Sequence, residues 1–168
     1  MIFFLKIYPV AFVNGSPIWY RTWDQYSRSM RHSLIIELKN VQQSFTPSTD
    51  FDMVVQKESL RALIEDRILT QSARALFPQF NFMSEERIAS VISAFVDVKN
   101  AAQSLYGLNK NDFYTLILLP QAHREVAEIE LDKKNINFAV WLAGVKKKTN
   151  VTVLSSRFFW NGEEIKEK

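Results

Sequence analysis

Apolar residues along the chain recur mainly at helical spacing. Trp19, Trp23, Tyr26, Met30, Leu34, Leu38, Val41 and Phe45 follow one another by three or four positions, which predicts one apolar stripe on a long first helix. Arg21, Arg28, Arg31, Glu37 and Lys39 fall off that stripe. The run from Phe45 to Asp50 closes the helix and supplies caps for a second, about Phe51 to Leu76, with Val54, Leu60, Leu63, Ile64, Ile68, Ala75 and Leu76 inward. Ser84-Glu85-Glu86 reads as the N-cap and acidic first turn of a third helix carrying Ile88, Val91, Ile92 and Phe95. A further turn or two over Asn100 to Tyr106 stops at Gly107, read as a left-handed C-cap. Asn109 to Asp112 caps the next helix, with Phe113, Leu116, Ile117, Val126, Ile129 and Leu131 inward and a kink expected at Pro120. Asn135 or Asn137 caps a last helix with Phe138, Trp141, Leu142 and Val145 inward, ending in Lys146 to Lys148.

Two short stretches leave that period. Val10 to Val13 is an apolar run stopped by the breaker Asn14-Gly15-Ser16-Pro17, and Val151 to Ser155 alternates with β-branched residues. A lone strand would leave its backbone polar groups unpaired, so the two are expected to pair with each other. The expected fold is therefore mainly α, a bundle of five or six helices with a small two-stranded β ribbon joining the chain ends. Three segments follow: an apolar stretch at 1–9, a helical domain at 10–156, and an aromatic then charged tail at 157–168.

Composition supports long helices. Gly and Pro together make up nine of 168 residues, about 5% where average usage gives about 12%, so turn punctuation is sparse. With 47% hydrophobic and 23% charged residues the chain is neither disordered nor collagen-like. The absence of Cys removes disulfides, thiolate nucleophiles and cysteine-based metal sites. A net charge of +3 is too small to imply nucleic acid without a clustered basic face. Residues 1–13 are apolar except for Lys6 and Pro9, yet a bilayer takes about 20 such residues, and neither a basic n-region nor a small-residue cleavage site is present. Two readings stay open: a short buried strand or tail, or the distal end of an export signal or anchor.

The search for chemistry is mostly negative. No nucleophile elbow, phosphate loop, dinucleotide fingerprint or zinc helix occurs, and no catalytic residue, metal ligand set or cofactor is expected. His32 and His123 lack a ligand partner one turn away and read as structural or solvated; a pocket gathering either with carboxylates would change that. The first helix, with Trp19, Tyr20, Arg21, Trp23, Tyr26, Arg28 and Arg31, is the best nucleic-acid candidate. Because Trp19, Trp23 and Tyr26 share the stripe with Met30 and Leu34, core packing is the better reading and no nucleic acid is expected.

The order of segments resembles the N-terminal domain of SurA-type and PrsA-type chaperones. The likeness rests on Val10 to Ile18 leading into a helix, on Leu60-Arg61-Ala62-Leu63-Ile64 through Leu69 and Ala73, and on Ser84 to Ile88, Tyr106-Gly107-Leu108-Asn109, the Pro120 helix, and the closing Phe138, Trp141 and Val151-Thr152-Val153. Many relatives carry a parvulin prolyl-isomerase domain between the Pro-kinked helix and the closing helix, where this chain has only Asp132 to Asn137. The resemblance thus implies the non-catalytic part alone: binding of unfolded or nascent exported polypeptides, in a periplasmic or cell-surface setting, with a membrane tether through residues 1–13 or a segment upstream of them as one option. The aromatics with no place on a stripe, Tyr20, Phe77, Phe80, Phe82, Phe158, Phe159 and Trp160, are the client-contact candidates. The competing reading is that Phe77, Phe80 and Phe82 plug the bundle end and that the 157–160 stretch folds back. The alternative function is a structural or assembly module that binds one dedicated partner or self-associates into a homo-oligomer.

Overall fold

The computed structural model describes residues 8–41, 44–94 and 97–168; residues 1–7 of the apolar N-terminal segment and Phe95 lie outside them. The chain is mainly helical with small antiparallel sheets. Its order is β1 (Pro9–Val13), β2 (Ser16–Trp19), α1 (Tyr20–Val41), α2 (Thr49–Leu76), α3 (Phe80–Ala94), α4 (Val98–Tyr106), α5 (Lys110–Phe113), a π-helical stretch (Tyr114–Leu118), α6 (Leu119–Asp132), α7 (Phe138–Lys148), β3 (Val151–Val153), β4 (Phe158–Trp160) and β5 (Ile165–Glu167). The chain divides into two compact units, one of residues 1–65 with 148–168 and one of residues 66–147.

In the first unit β1 is central, flanked by β2 and β3. The expected pairing of the two strand candidates is present: Ala11, Phe12 and Val13 lie opposite Val153, Thr152 and Val151. β2 is a third strand, beyond the two that the sequence predicts. Asn14 and Gly15 both take positive φ, 48° and 79°, and Val13 pairs with Ser16, so the supposed breaker is a two-residue hairpin turn of the kind Asn-Gly favours. Trp19 accordingly ends β2 instead of starting the helical stripe, and Pro17 sits on an edge strand, where its missing N–H is tolerated. The Asn14 N–H donates to the Asn150 carbonyl at 2.8 Å, and the Asn150 N–H donates to Asn14 Oδ1 at 3.1 Å, tying the turn to the start of β3.

The supposed tail is a second hairpin. β4 pairs with β5 around Asn161-Gly162, where Asn161 Oδ1 accepts the N–H groups of Glu163 and Glu164 at 2.9 and 2.8 Å. Phe158 and Ile165 are buried, so residues 157–168 belong to the fold. Helices α1 and α2 run antiparallel here, with Trp23 Nε1–H donating to the Gln56 carbonyl at 3.0 Å and Arg31 pairing with Asp52 at 2.6 Å. The α1 stripe is shallower than its periodicity suggests. Its fully buried residues are Ser27 and Ser29, while Trp23, Tyr26 and Met30 are half-buried and Val41 is exposed. On α2 Leu60 and Ile64 are buried as expected, but at the N-terminal end Val55 is buried and Val54, expected inward, is exposed.

The second unit is built on a denser apolar cluster. Leu69, Ala73, Phe77 and Phe80 pack with Val126, Ala127, Leu131 and Leu142, and Met83, Phe138 and Trp141 cover them. Helix α3 begins at Phe80, four residues before the expected cap; Ser84 is buried inside it, and its hydroxyl donates back to the Phe80 carbonyl at 2.9 Å. Leu76 and Ile129, expected inward, are exposed. The expected caps at Gly107 and Asn109 are present: Gly107 takes φ 63° and the Asn109 side chain accepts from the Asp112 N–H. Of the two candidates before α7, Asn137 caps it, accepting the Val140 N–H at 3.1 Å. The interruption expected at Pro120 takes the form of the π-helical stretch. The Leu119 N–H reaches the Tyr114 carbonyl five residues back, just before Pro120 removes the next donor.

Candidate functional site

The seven aromatic candidates fall into three environments. Phe77, Phe80 and Phe158 are 6%, 0% and 1% exposed; they are core side chains and present no client surface. Phe80 stacks on the His123 ring at 5.5 Å and Lys134 Nζ lies 4.8 Å from the centre of the Phe77 ring, which matches the plug reading for those two but not for Phe82. Phe82 and Phe159 are exposed, at 60% and 40%, and belong to different units. Tyr20 and Trp160 are half-buried. Tyr20 heads α1 with its ring 4.9 Å from Tyr8 and 5.6 Å, edge-on, from Trp23.

Two concavities stand out, one in each unit. The first, of about 400 Å³, has one wall from α1 (Tyr20, Trp23, Asp24, Ser27, Arg28, Arg31), one from α2 (Asp52, Val55, Gln56) and one from Ser155 to Phe158. Its charges are largely matched within the fold: Arg28 Nη2 lies 3.0 Å from Asp24 and Arg31 Nε lies 2.6 Å from Asp52. Arg28 and Arg31, which the sequence offers as part of a nucleic-acid face, line this cleft instead. What makes this a cleft is the return of the chain through 155–158 opposite α1, which helical periodicity does not encode.

The second, of about 320 Å³, is an apolar groove in the other unit. Val91 and Ile92 of α3, Val98, Ala101, Leu105 and Tyr106 of α4, and Phe113, Ile117 and Leu118 on and beside the π-helical stretch line it, with Gln121 and Glu125 at its polar edge. The Gly107 cap folds the short α4 back towards α5, the Leu108 N–H closing the turn onto the Ala102 carbonyl at 3.1 Å. Tyr106 and Phe113 meet across that turn with centroids 5.3 Å apart. The outer rim is Leu105, 47% exposed. Glu125 is held by Arg87 at 2.5 Å, so the polar edge is fixed from α3 to α6.

His123 is buried and does meet a carboxylate. Its Nδ1 lies 2.9 Å from Asp66 Oδ1 and 3.1 Å from Thr70 Oγ1. Both partners approach the same ring nitrogen, whereas a nucleophile–base relay needs the hydroxyl on one nitrogen and the carboxylate on the other. The arrangement is that of a satisfied buried histidine, and neither concavity includes it. Among the described residues no three His, Asp or Glu side chains form a group suited to a metal ion, and no helix is long and apolar enough to cross a membrane. No family model, no curated protein and no solved structure matches the chain.

Proposed function

We propose that the chain is a non-catalytic, SurA-like chaperone domain that binds unfolded or nascent exported polypeptides through exposed apolar surface. The observation that carries this reading is the apolar groove of the second unit. Its walls are Val, Ile, Leu, Phe and Tyr side chains, its rim is a half-exposed Leu105, and its frame is fixed by a Gly cap and an Arg87–Glu125 pair. A preformed apolar concavity of a few hundred Å³ accepts one or two large apolar side chains of an extended segment and selects for hydrophobicity more than for sequence. Exposed Phe82 and Phe159 add single apolar contacts. The order of sequence motifs, from the Asn14-Gly15 strand turn to the Pro120 helix, supports the same reading.

The test is suppression of aggregation of an unfolded client. The purified protein is expected to slow light scattering at stoichiometric ratios, and Leu105→Glu, which places a charge on the rim of the groove, is expected to remove most of that effect with the circular dichroism unchanged. Unrelated apolar peptides should compete for one site. A protein that ignores such peptides and captures one fixed partner would instead be an assembly module, and the chaperone reading would be dropped.

A further inference from the structure

The cleft of the first unit has properties that the groove lacks. Its three arginines face two aspartates, and both aspartates are engaged, by Arg28 and Arg31. Arg157 has no carboxylate partner among the described residues; its backbone N–H donates to Ser155 Oγ at 3.1 Å and its carbonyl accepts the Lys168 N–H at 3.0 Å, while no bond of its guanidinium is seen among the described residues. The guanidinium brings five donors in a planar fork that matches a carboxylate. Ser27, on the opposite wall, is 92% buried, and its Oγ has no hydrogen-bond partner among the described residues. A buried hydroxyl is ordinarily satisfied; Ser29 and Ser59 are orphaned likewise, and Ser27 is the one of the three that lines this cleft. Trp23, whose Nε1–H is already spent on Gln56, and Tyr20 line the same cleft. Cation, unpartnered hydroxyl and aromatic wall together describe a pocket for an anion joined to an apolar group.

We propose that this cleft binds the carboxylate of a polypeptide segment, with Arg157 pairing the carboxylate, Ser27 donating to it, and Trp23 and Tyr20 covering the adjoining apolar side chain. The inference rests on the polypeptide-binding reading for its ligand class but shares no residue with the groove. A carboxylate offers four acceptor positions, which suits a fork of donors plus one hydroxyl. The remaining Asp24 and Asp52 stay paired and disfavour a second negative charge, so a singly charged end is preferred over a phosphate dianion.

The experiment titrates the full chain with short peptides ending in Leu or Phe, following Trp fluorescence and calorimetry. Three forms are compared: free C-terminal acid, C-terminal amide, and amide with an interior Glu. The free acid is expected to bind about tenfold or more tightly than the plain amide, the effect of one charge-assisted pair. Arg157→Gln should erase that preference and Ser27→Ala should reduce it, with thermal stability retained. Binding of the interior-Glu amide would support carboxylate recognition and assign it to side chains, and its failure would assign it to chain ends. Equal binding of acid and plain amide, or an acid preference that survives Arg157→Gln, overturns the proposal. If Arg157→Gln is silent while Leu105→Glu still abolishes client protection, this cleft fails and the groove reading stands. Binding of inorganic phosphate without binding of any peptide overturns it as well.

Discussion

The two units handle buried polar groups in opposite ways. Among the described residues of 66–147 the buried polar side chains all have partners: Ser84 donates to the Phe80 carbonyl, and Thr70 and Asp66 share His123 Nδ1. In the other unit Ser27, Ser29 and Ser59 are buried with no hydrogen-bond partner for Oγ among the described residues. An orphaned hydroxyl costs about 1–3 kcal/mol, so the second unit has spent its polar groups on its own fold, while the first keeps unsatisfied hydroxyls, one of them, Ser27, lining the arginine-bearing cleft. Their concavities follow the same division, apolar in the well-satisfied unit and mixed in the other.

That contrast can be broken by substitution. The largest effect should come from Phe80→Ala, which empties the fully buried centre of the apolar cluster and is expected to cost about 3–5 kcal/mol, whereas exposed Phe82→Ala should stay within about 0.5 kcal/mol; denaturant unfolding of both variants reads the difference. Next, Thr70→Val removes a hydroxyl that contacts His123 and should destabilise by about 1 kcal/mol. Ser59→Ala removes an orphan and should be neutral or stabilising. If the two changes cost the same, the difference in polar satisfaction between the units is not real. The smallest effect concerns Glu164 on the second hairpin. The Lys166 hydrogen bond, then the Lys166 charge, with Arg61 and Lys57 adding, hold its carboxyl below the ordinary value of 4.5 against a small opposing desolvation. A lowered folded value means that its contribution is present above 4.5 and is lost as pH falls through the folded value. Exposure of both side chains to solvent keeps that contribution slight. An NMR titration should show the Glu164 midpoint moving back up in Lys166→Gln; an unmoved midpoint would contradict the pairing.

Helix existence, the Gly107, Asn109 and Asn137 caps and the β1–β3 pairing were legible because each is set by local chemistry or by the need to pair a short strand. What was not legible is instructive. Asn-Gly opens both hairpin turns, the two-residue turn at 14–15 and the four-residue turn at 161–164, yet an apolar run that continues into a helical period hides the first, and an aromatic stretch near the charged C-terminus hides the second. Ser84 looked like a cap because cap residues are polar and precede acids; the Phe80 carbonyl satisfies it inside the helix instead. Stripe phase failed at Val54, Leu76 and Ile129, where half a turn decides which neighbour a side chain meets. Of the site, Tyr20, expected as a contact aromatic, lines a cleft, but Phe77, Phe80 and Phe158 are core; of the groove residues from Val98 to Leu118 the sequence assigns only Phe113 and Ile117, and to an inner face. Burial by distant segments, not periodicity, separates a core position from a groove wall.

The central claim, that this chain binds unfolded polypeptide at the α3–α4–α5 groove, is tested most directly by the concentration dependence of client aggregation with wild type and Leu105→Glu side by side. The account predicts protection that saturates near equimolar wild type and is lost in the folded variant. Protection absent from wild type at every ratio, or undiminished in Leu105→Glu, would contradict it.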